Sequence, residues 1–167
     1  AAPAQELGEQ FLTFLQDRLS LAGRYQDPDL TRQKHAAEIG PAMIDQVGQM
    51  LSAIRWDRAT VRDFLGASLS EPKGHVVFNP PAGPLSPSRF SAAVKRKGIA
   101  LDPASQLLFS GKRFYLNGEP WAVPAPAVTM LRQLADRRML GKPVQTGEHT
   151  MALLYAAYCD GFLRPLP

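Results

Sequence analysis

The sequence predicts an α+β fold, mostly helical, in which a helical region precedes a compact α-βββ-αα domain. Three features predict it. Apolar residues recur at spacings of three and four through the first part of the chain, and five of the 15 prolines crowd between Pro72 and Pro87. Farther on, the dipeptides Ser110-Gly111 and Asn117-Gly118 separate short apolar runs, the pattern of strands joined by tight turns.

Leu7, Phe11, Phe14, Leu15 and Leu19 fall on one stripe of a first helix, expected to end near Ala22-Gly23. Pro41, whose fixed φ suits a first turn, opens a second helix carrying Ile44, Val47, Leu51 and Ile54 at coiled-coil-like spacings. Asp57 can cap a third, with Val61, Phe64 and Leu65 facing inward. Three short amphipathic helices make a thin core by themselves, so another subunit or another domain is expected to cover them. The stretch from Glu71 to Pro84 cannot continue a helix or sit inside a sheet, and is expected to be a partly extended linker. The expected organisation is therefore a helical region at 1–71, a proline-rich linker at 72–85 and a second domain at 86–167.

In that second domain, Ser86-Pro87 supplies a cap followed by proline at the first helical position, and Phe90, Ala93 and Val94 form the buried stripe. Gly98 stops this helix after Lys95-Arg96-Lys97. Leu107–Phe109, Arg113–Leu116 and Trp121–Val123 then read as three strands. Pro124 and Pro126 close the sheet and open a helix with Val128, Leu131 and Leu134. Thr146 can cap a last helix with Met151, Leu154 and Tyr158, ending at Gly161. The order has the look of a winged helix.

With 167 residues, 45% hydrophobic and 20% charged, the chain can bury a core and is not disordered by composition. Its charge is uneven. Before Ala82 there are 8 Lys and Arg against 10 Asp and Glu, and from Ala82 onward 11 against 5, so the halves carry −2 and +6. The single cysteine, Cys159, excludes an intrachain disulfide and any multi-thiolate metal site, which favours a reducing cytoplasm. It reads most simply as a small buried apolar residue. No apolar run approaches the roughly 20 residues that span a bilayer, so no membrane partner is expected. A start at Ala1-Ala2-Pro3 without Met suggests a processed protein, a fragment or a shortened chain.

Chemistry is sparse. His35, His75 and His149 are far apart, and none is followed two positions on by Asp or Glu, so the two-histidine, one-carboxylate iron motif is not spelled in its usual form. Asp27 and Asp29 flank Pro28 and read as turn formers rather than as an acid–base pair. Neither a Gly-x-Gly-x-x-Gly nor a Gly-x-x-x-x-Gly-Lys loop occurs. No catalytic, cofactor-binding or metal-binding residue is therefore assigned within the chain. Lys95, Arg96, Lys97, Lys112, Arg113, Arg137 and Arg138, with Arg89 and Arg132, could form a basic surface for nucleic acid beside Phe114 and Tyr115. The plainer reading is preferred: the first cluster offsets a helix dipole, and at least one of the two rings faces the core.

The segments Arg24-Tyr25-Gln26-Asp27-Pro28-Asp29-Leu30, Leu101-Asp102-Pro103-Ala104, Tyr115-Leu116-Asn117-Gly118-Glu119 and Gly161-Phe162-Leu163 carry a resemblance, in their order and spacing around the helical pair and the proline-rich join. The chain resembles the C-terminal part of the bacterial cupin-like (JmjC) ribosomal oxygenases, the ribosomal protein arginine hydroxylases. That resemblance implies an N-terminal catalytic barrel upstream of Ala1 that holds Fe(II) and 2-oxoglutarate and acts on a large-subunit ribosomal protein, leaving no cofactor in this chain. It implies that Leu7 to Leu69 form a dimerisation region of a cytoplasmic homodimer, followed by a winged-helix-like domain. Ile44, Val47, Leu51 and Ile54 are then the candidates for contacts between subunits, although the same seam could pack within one. The alternative function is a winged-helix nucleic-acid-binding module. Against it, the strands here run as a meander, whereas the usual DNA-binding winged helix splits them around its recognition helix.

Overall fold

In a computed structural model, residues 3–20, 35, 37–141, 144 and 146–167 are described. The expected helix end at Ala22-Gly23 and the Asp27-Pro28-Asp29 turn lie outside them. The chain forms two compact units, Ala1–Val61 and Arg62–Pro167.

The first unit is helical. Helix α1 covers Ala4–Gln16 and α2 covers Pro41–Ser52, with proline in its first turn as expected. Two boundaries fall short of the periodicity. Helix α1 closes at Asp17, where the backbone N–H bonds back to Leu15 and Thr13, so Leu19 lies beyond it. Helix α2 closes at Ala53, and Ile54 follows in a turn with its N–H on the Leu51 carbonyl at 3.0 Å. Apolar spacing marks a face but carries no stop signal, which is why both expectations ran long. Phe11 meets Phe14 with ring centres 6.4 Å apart and Trp56 edge-on at 5.8 Å, and Arg18 sits 3.7 Å over the Phe14 ring.

Helix α3, Arg58–Ser70, starts as expected at Asp57. The Asp57 carboxylate accepts the Thr60 N–H and hydroxyl, both at 2.8 Å, and the Thr60 hydroxyl accepts the Asp57 N–H at 3.4 Å, a reciprocal cap. Phe64 is buried, but Val61 and Leu65 are exposed, contrary to expectation. The buried line instead includes Gly66 and Ser70, because the face of α3 opposite Leu65 packs on a strand.

The second unit holds the core. Helix α4, Pro87–Lys97, has Ser86 as its cap and Gly98 as its stop, with Phe90 and Val94 fully buried. Strand β1, Gly98–Leu101, follows at once. Only glycine fits at Gly98, where φ is +102° and a Cβ would strike the Leu140 carbonyl. Strands β2 (Leu107–Ser110), β3 (Arg113–Leu116) and β4 (Glu119–Trp121) form the expected antiparallel meander. Its second turn is Asn117-Gly118, both at positive φ, the pairing a two-residue hairpin favours. The first turn is Gly111-Lys112, one residue later than expected, and β4 begins at Glu119 rather than Trp121. The tight turn delivers the chain straight into pairing, with Leu116 opposite Glu119.

After a single 3₁₀ turn, Ala125–Ala127, helix α5 (Val128–Arg137) buries Val128, Leu131 and Leu134. Strand β5 is Met139–Gly141, helix α6 is Glu148–Cys159 and strand β6 is Leu163–Pro165. Gly147, not Thr146, caps α6. Gly161 ends it at φ +79°, with its N–H on Tyr158 and that of Phe162 on Ala157, the paired bonds of a glycine C-cap. Strands β5, β1 and β6 form a second antiparallel sheet with β1 in the centre, an addition to the expected α-βββ-αα order. Cys159 is half-buried against the core.

The proline-rich segment forms no helix or strand, turns where the Val76 N–H bonds to the Lys73 carbonyl at 2.8 Å, and is fixed within the second unit. Tyr155 donates its hydroxyl to the Leu85 carbonyl at 3.0 Å, and the Leu85 N–H donates to the Tyr158 hydroxyl at 3.1 Å. Phe78 meets the Phe162 ring edge-on at 4.8 Å.

Candidate functional site

Two surfaces carry the residues singled out by sequence. The first is the apolar face of the first unit. No side chain of α1 or α2 is buried. Ile44 is 58% and Leu51 56% exposed, Val47 and Ile54 are half-buried, and Leu12 at 63% and Trp56 at 58% add further apolar area. Exposed apolar side chains scattered singly are ordinary, but two whole helices without one buried side chain are not.

The second surface is basic. Lys95, Arg96 and Lys97 are exposed in the last turn of α4, where cations complement the helix dipole. Lys112 and Arg113 are exposed at the β2–β3 hairpin, and Arg137 is exposed at the end of α5. Arg138 is different. Its guanidinium donates to the carbonyls of Asp102 at 2.9 Å, Pro103 at 3.2 Å and Ser105 at 2.9 Å, so it ties the loop after β1 rather than presenting charge to solvent. Arg132 likewise donates to the Gly111 carbonyl at 2.6 Å and lies 5.5 Å over the Phe109 ring. Helix α6, which by its place before the last strand would be the groove-reading helix, contains no Lys or Arg and begins with Glu148. That helix therefore offers no cation to the phosphates or guanines of a duplex groove.

Both Phe114 and Tyr115 are buried, although neighbouring strand residues point to opposite faces. Phe114 joins the main core, and Tyr115 lies under α3. The Tyr115 hydroxyl donates to Asp63 at 2.5 Å and accepts from Arg62 at 3.3 Å, and Arg62 pairs with Asp63 at 2.9 Å. Burial pushes the Tyr115 hydroxyl above its ordinary pKa, reinforced by its bond to Asp63. Burial also works against the Asp63 charge, but the bonds from Tyr115 and Arg62 outweigh it and hold the carboxyl below the usual range. Gly66 lets α3 lie directly on the ring, and the Ser70 hydroxyl accepts the Gly118 N–H at 3.0 Å. Sequence reasoning missed this lock, and the one available signal was a glycine inside a helical pattern.

His35, His75 and His149 are all exposed, and the described residues contain no group of three His, Cys, Asp or Glu side chains that could hold a metal. No helix among them is long and apolar enough to cross a membrane.

The fold has known counterparts. It is similar to the crystal structure of E. coli ycfD, with a TM-score of 0.72 and 23% identity over 98% of this chain and 45% of that one. It is similar also to structures described as YcfD, a ribosomal oxygenase from Escherichia coli, one of them in complex with cobalt and 2-oxoglutarate. For both, the TM-score is 0.70 and the identity 22%, over 98% of this chain and 46% of theirs. This chain thus spans just under half the length of the structures it matches. A comparison with curated protein sequences gave no match. The described residues do not supply the donor set an iron or cobalt centre needs, and no chemistry of such a centre is assigned to them. The ROXA-like winged helix family matches residues 53–164, which span α3, the fixed proline-rich segment and both sheets, and the chain belongs to that family.

Proposed function

We propose that this chain is the non-catalytic C-terminal part of an Fe(II)- and 2-oxoglutarate-dependent ribosomal protein hydroxylase of the cytoplasm. Its first helices join two copies, and its winged-helix unit helps to position a large-subunit ribosomal protein for a catalytic domain elsewhere in the same polypeptide. Similarity of fold to a ribosomal oxygenase supports the parentage. The observation that carries the joining role is that α1 and α2 bury no side chain within this chain while exposing Ile44, Leu51 and Leu12. Of the proposed 1–71 dimerisation region, Arg62–Ser70 falls in the second unit, so the joining surface is assigned to the helices ahead of Arg62.

The test is Leu51→Asp examined by light scattering. Leu51 is exposed within one chain, so the charge leaves a lone copy folded but must be buried unpaired at an apolar interface between copies. The expected result is conversion of a dimer to a monomer with unchanged circular dichroism. An unchanged mass would remove Leu51 from the interface. The parentage is tested separately, by conversion of 2-oxoglutarate to succinate in a protein that contains these residues and the proposed barrel. Turnover by this chain alone would overturn the non-catalytic reading.

A further inference from the structure

A groove of about 650 Å³ in the second unit is lined by Lys112 and Arg113 from the β2–β3 hairpin, Trp121 from β4, Val123 just after it, and His149 and Leu153 from α6. No carboxylate lines it. Lys112 and Arg113 are exposed, and among the described residues neither forms an ion pair, although Arg113 contributes to the field that lowers Asp63. The groove therefore combines two cations outside any ion pair with a half-buried indole and an aliphatic wall. An acidic peptide would satisfy the cations but leave the indole without a planar partner. A flexible strand of phosphates and bases satisfies both, since every base presents a face that stacks on an aromatic ring. A duplex is disfavoured because α6 offers no Lys or Arg.

We propose that this groove binds single-stranded nucleic acid, with phosphates on Lys112 and Arg113 and a base against Trp121. The proposal is independent of the oxygenase reading.

Trp56 and Trp121 are the two tryptophans, so a Trp56→Phe variant leaves Trp121 as the reporter. Titrating that protein with a uridine decamer should quench the remaining fluorescence, with affinity that falls as salt rises. Adding Lys112→Gln and Arg113→Gln should weaken binding at least about tenfold and reduce the slope of log affinity against log salt by about 1.4, the value for two lost contacts to a single strand. Arg96→Gln with Lys97→Gln removes the same charge from α4 and should change affinity by less than about threefold. An oligoglutamate of ten residues should not quench. All four substituted residues are exposed, so each variant is expected to melt like its parent. Equal losses in the two double variants would reduce the effect to net charge and overturn the groove. Quenching by oligoglutamate would assign it to an acidic peptide instead, and absence of salt-dependent quenching by the decamer would end the proposal.

Discussion

A methyl group added at Gly66 should destabilise the protein, although glycine inside a helix ordinarily gains about 1 kcal/mol on conversion to alanine. The new Cβ would overlap Cε2, Cδ2 and Cζ of Tyr115. That ring cannot yield cheaply, since it is 2% exposed and its hydroxyl is bound by Asp63 and Arg62. If the ring stays, the overlap stores roughly 1–3 kcal/mol of packing strain. If it swings, it gives up a hydrogen bond to a charged group, about 1.5–3 kcal/mol. Set against the gain in helix propensity, Gly66→Ala should cost about 1 kcal/mol, a fall in melting temperature of about 2–4 °C for a chain of this size. Gly8→Ala in α1 and Gly48→Ala in α2 meet nothing within 4 Å and should instead stabilise by about 0.5–1 kcal/mol. Urea unfolding followed by far-ultraviolet circular dichroism measures all three. Tyr115→Phe unpins the ring, so Gly66→Ala should cost less in that background than in the wild type. A Gly66→Ala protein as stable as the Gly8 and Gly48 variants would refute the packing of α3 on β3.

Further outcomes follow from the same structure. Arg138→Met should cost about 3 kcal/mol, because three carbonyls lose a charged donor, and differential scanning calorimetry should show the loss. The Asp63 carboxyl titrates below its ordinary value near about 4, so its stabilisation is complete above that pH and is lost as pH falls through the lowered value. Urea midpoints should therefore fall less steeply between about pH 5 and 3 in Asp63→Asn than in the wild type, and parallel curves would contradict the pairing with Tyr115 and Arg62. Asn117→Ala places a side chain without local polar compensation at φ +52° and removes the acceptor for the Gln106 N–H at 2.8 Å. It should lower the melting temperature by several degrees, on the order of 1–2 kcal/mol.

How much of this was readable in advance depended on whether a signal was local. Ser86-Pro87, Gly98, Asp57, Asn117-Gly118 and Gly161 act through backbone geometry within a few residues, and each stands where it was placed. Strands β1, β5 and β6 were not readable. Strand β1 is four residues buried throughout, so it shows no alternation, and the other two are three residues each, too short for a period. Only pairing across the chain makes them strands. The burial of both Phe114 and Tyr115 has the same origin, since it depends on α3 returning to cover the outer face of β3. Arg138 was unreadable for another reason: on sequence it is one cation in a basic run, and three carbonyls from a distant loop give it its role. The apolar seam on α2 was readable as a face.

The joining role is tested most directly by sedimentation equilibrium of this chain at tens of micromolar. The expected mass is twice 18.3 kDa, falling to a single copy for Leu51→Asp with the helical signal intact. A folded wild-type chain that stays at 18.3 kDa across that range would contradict it.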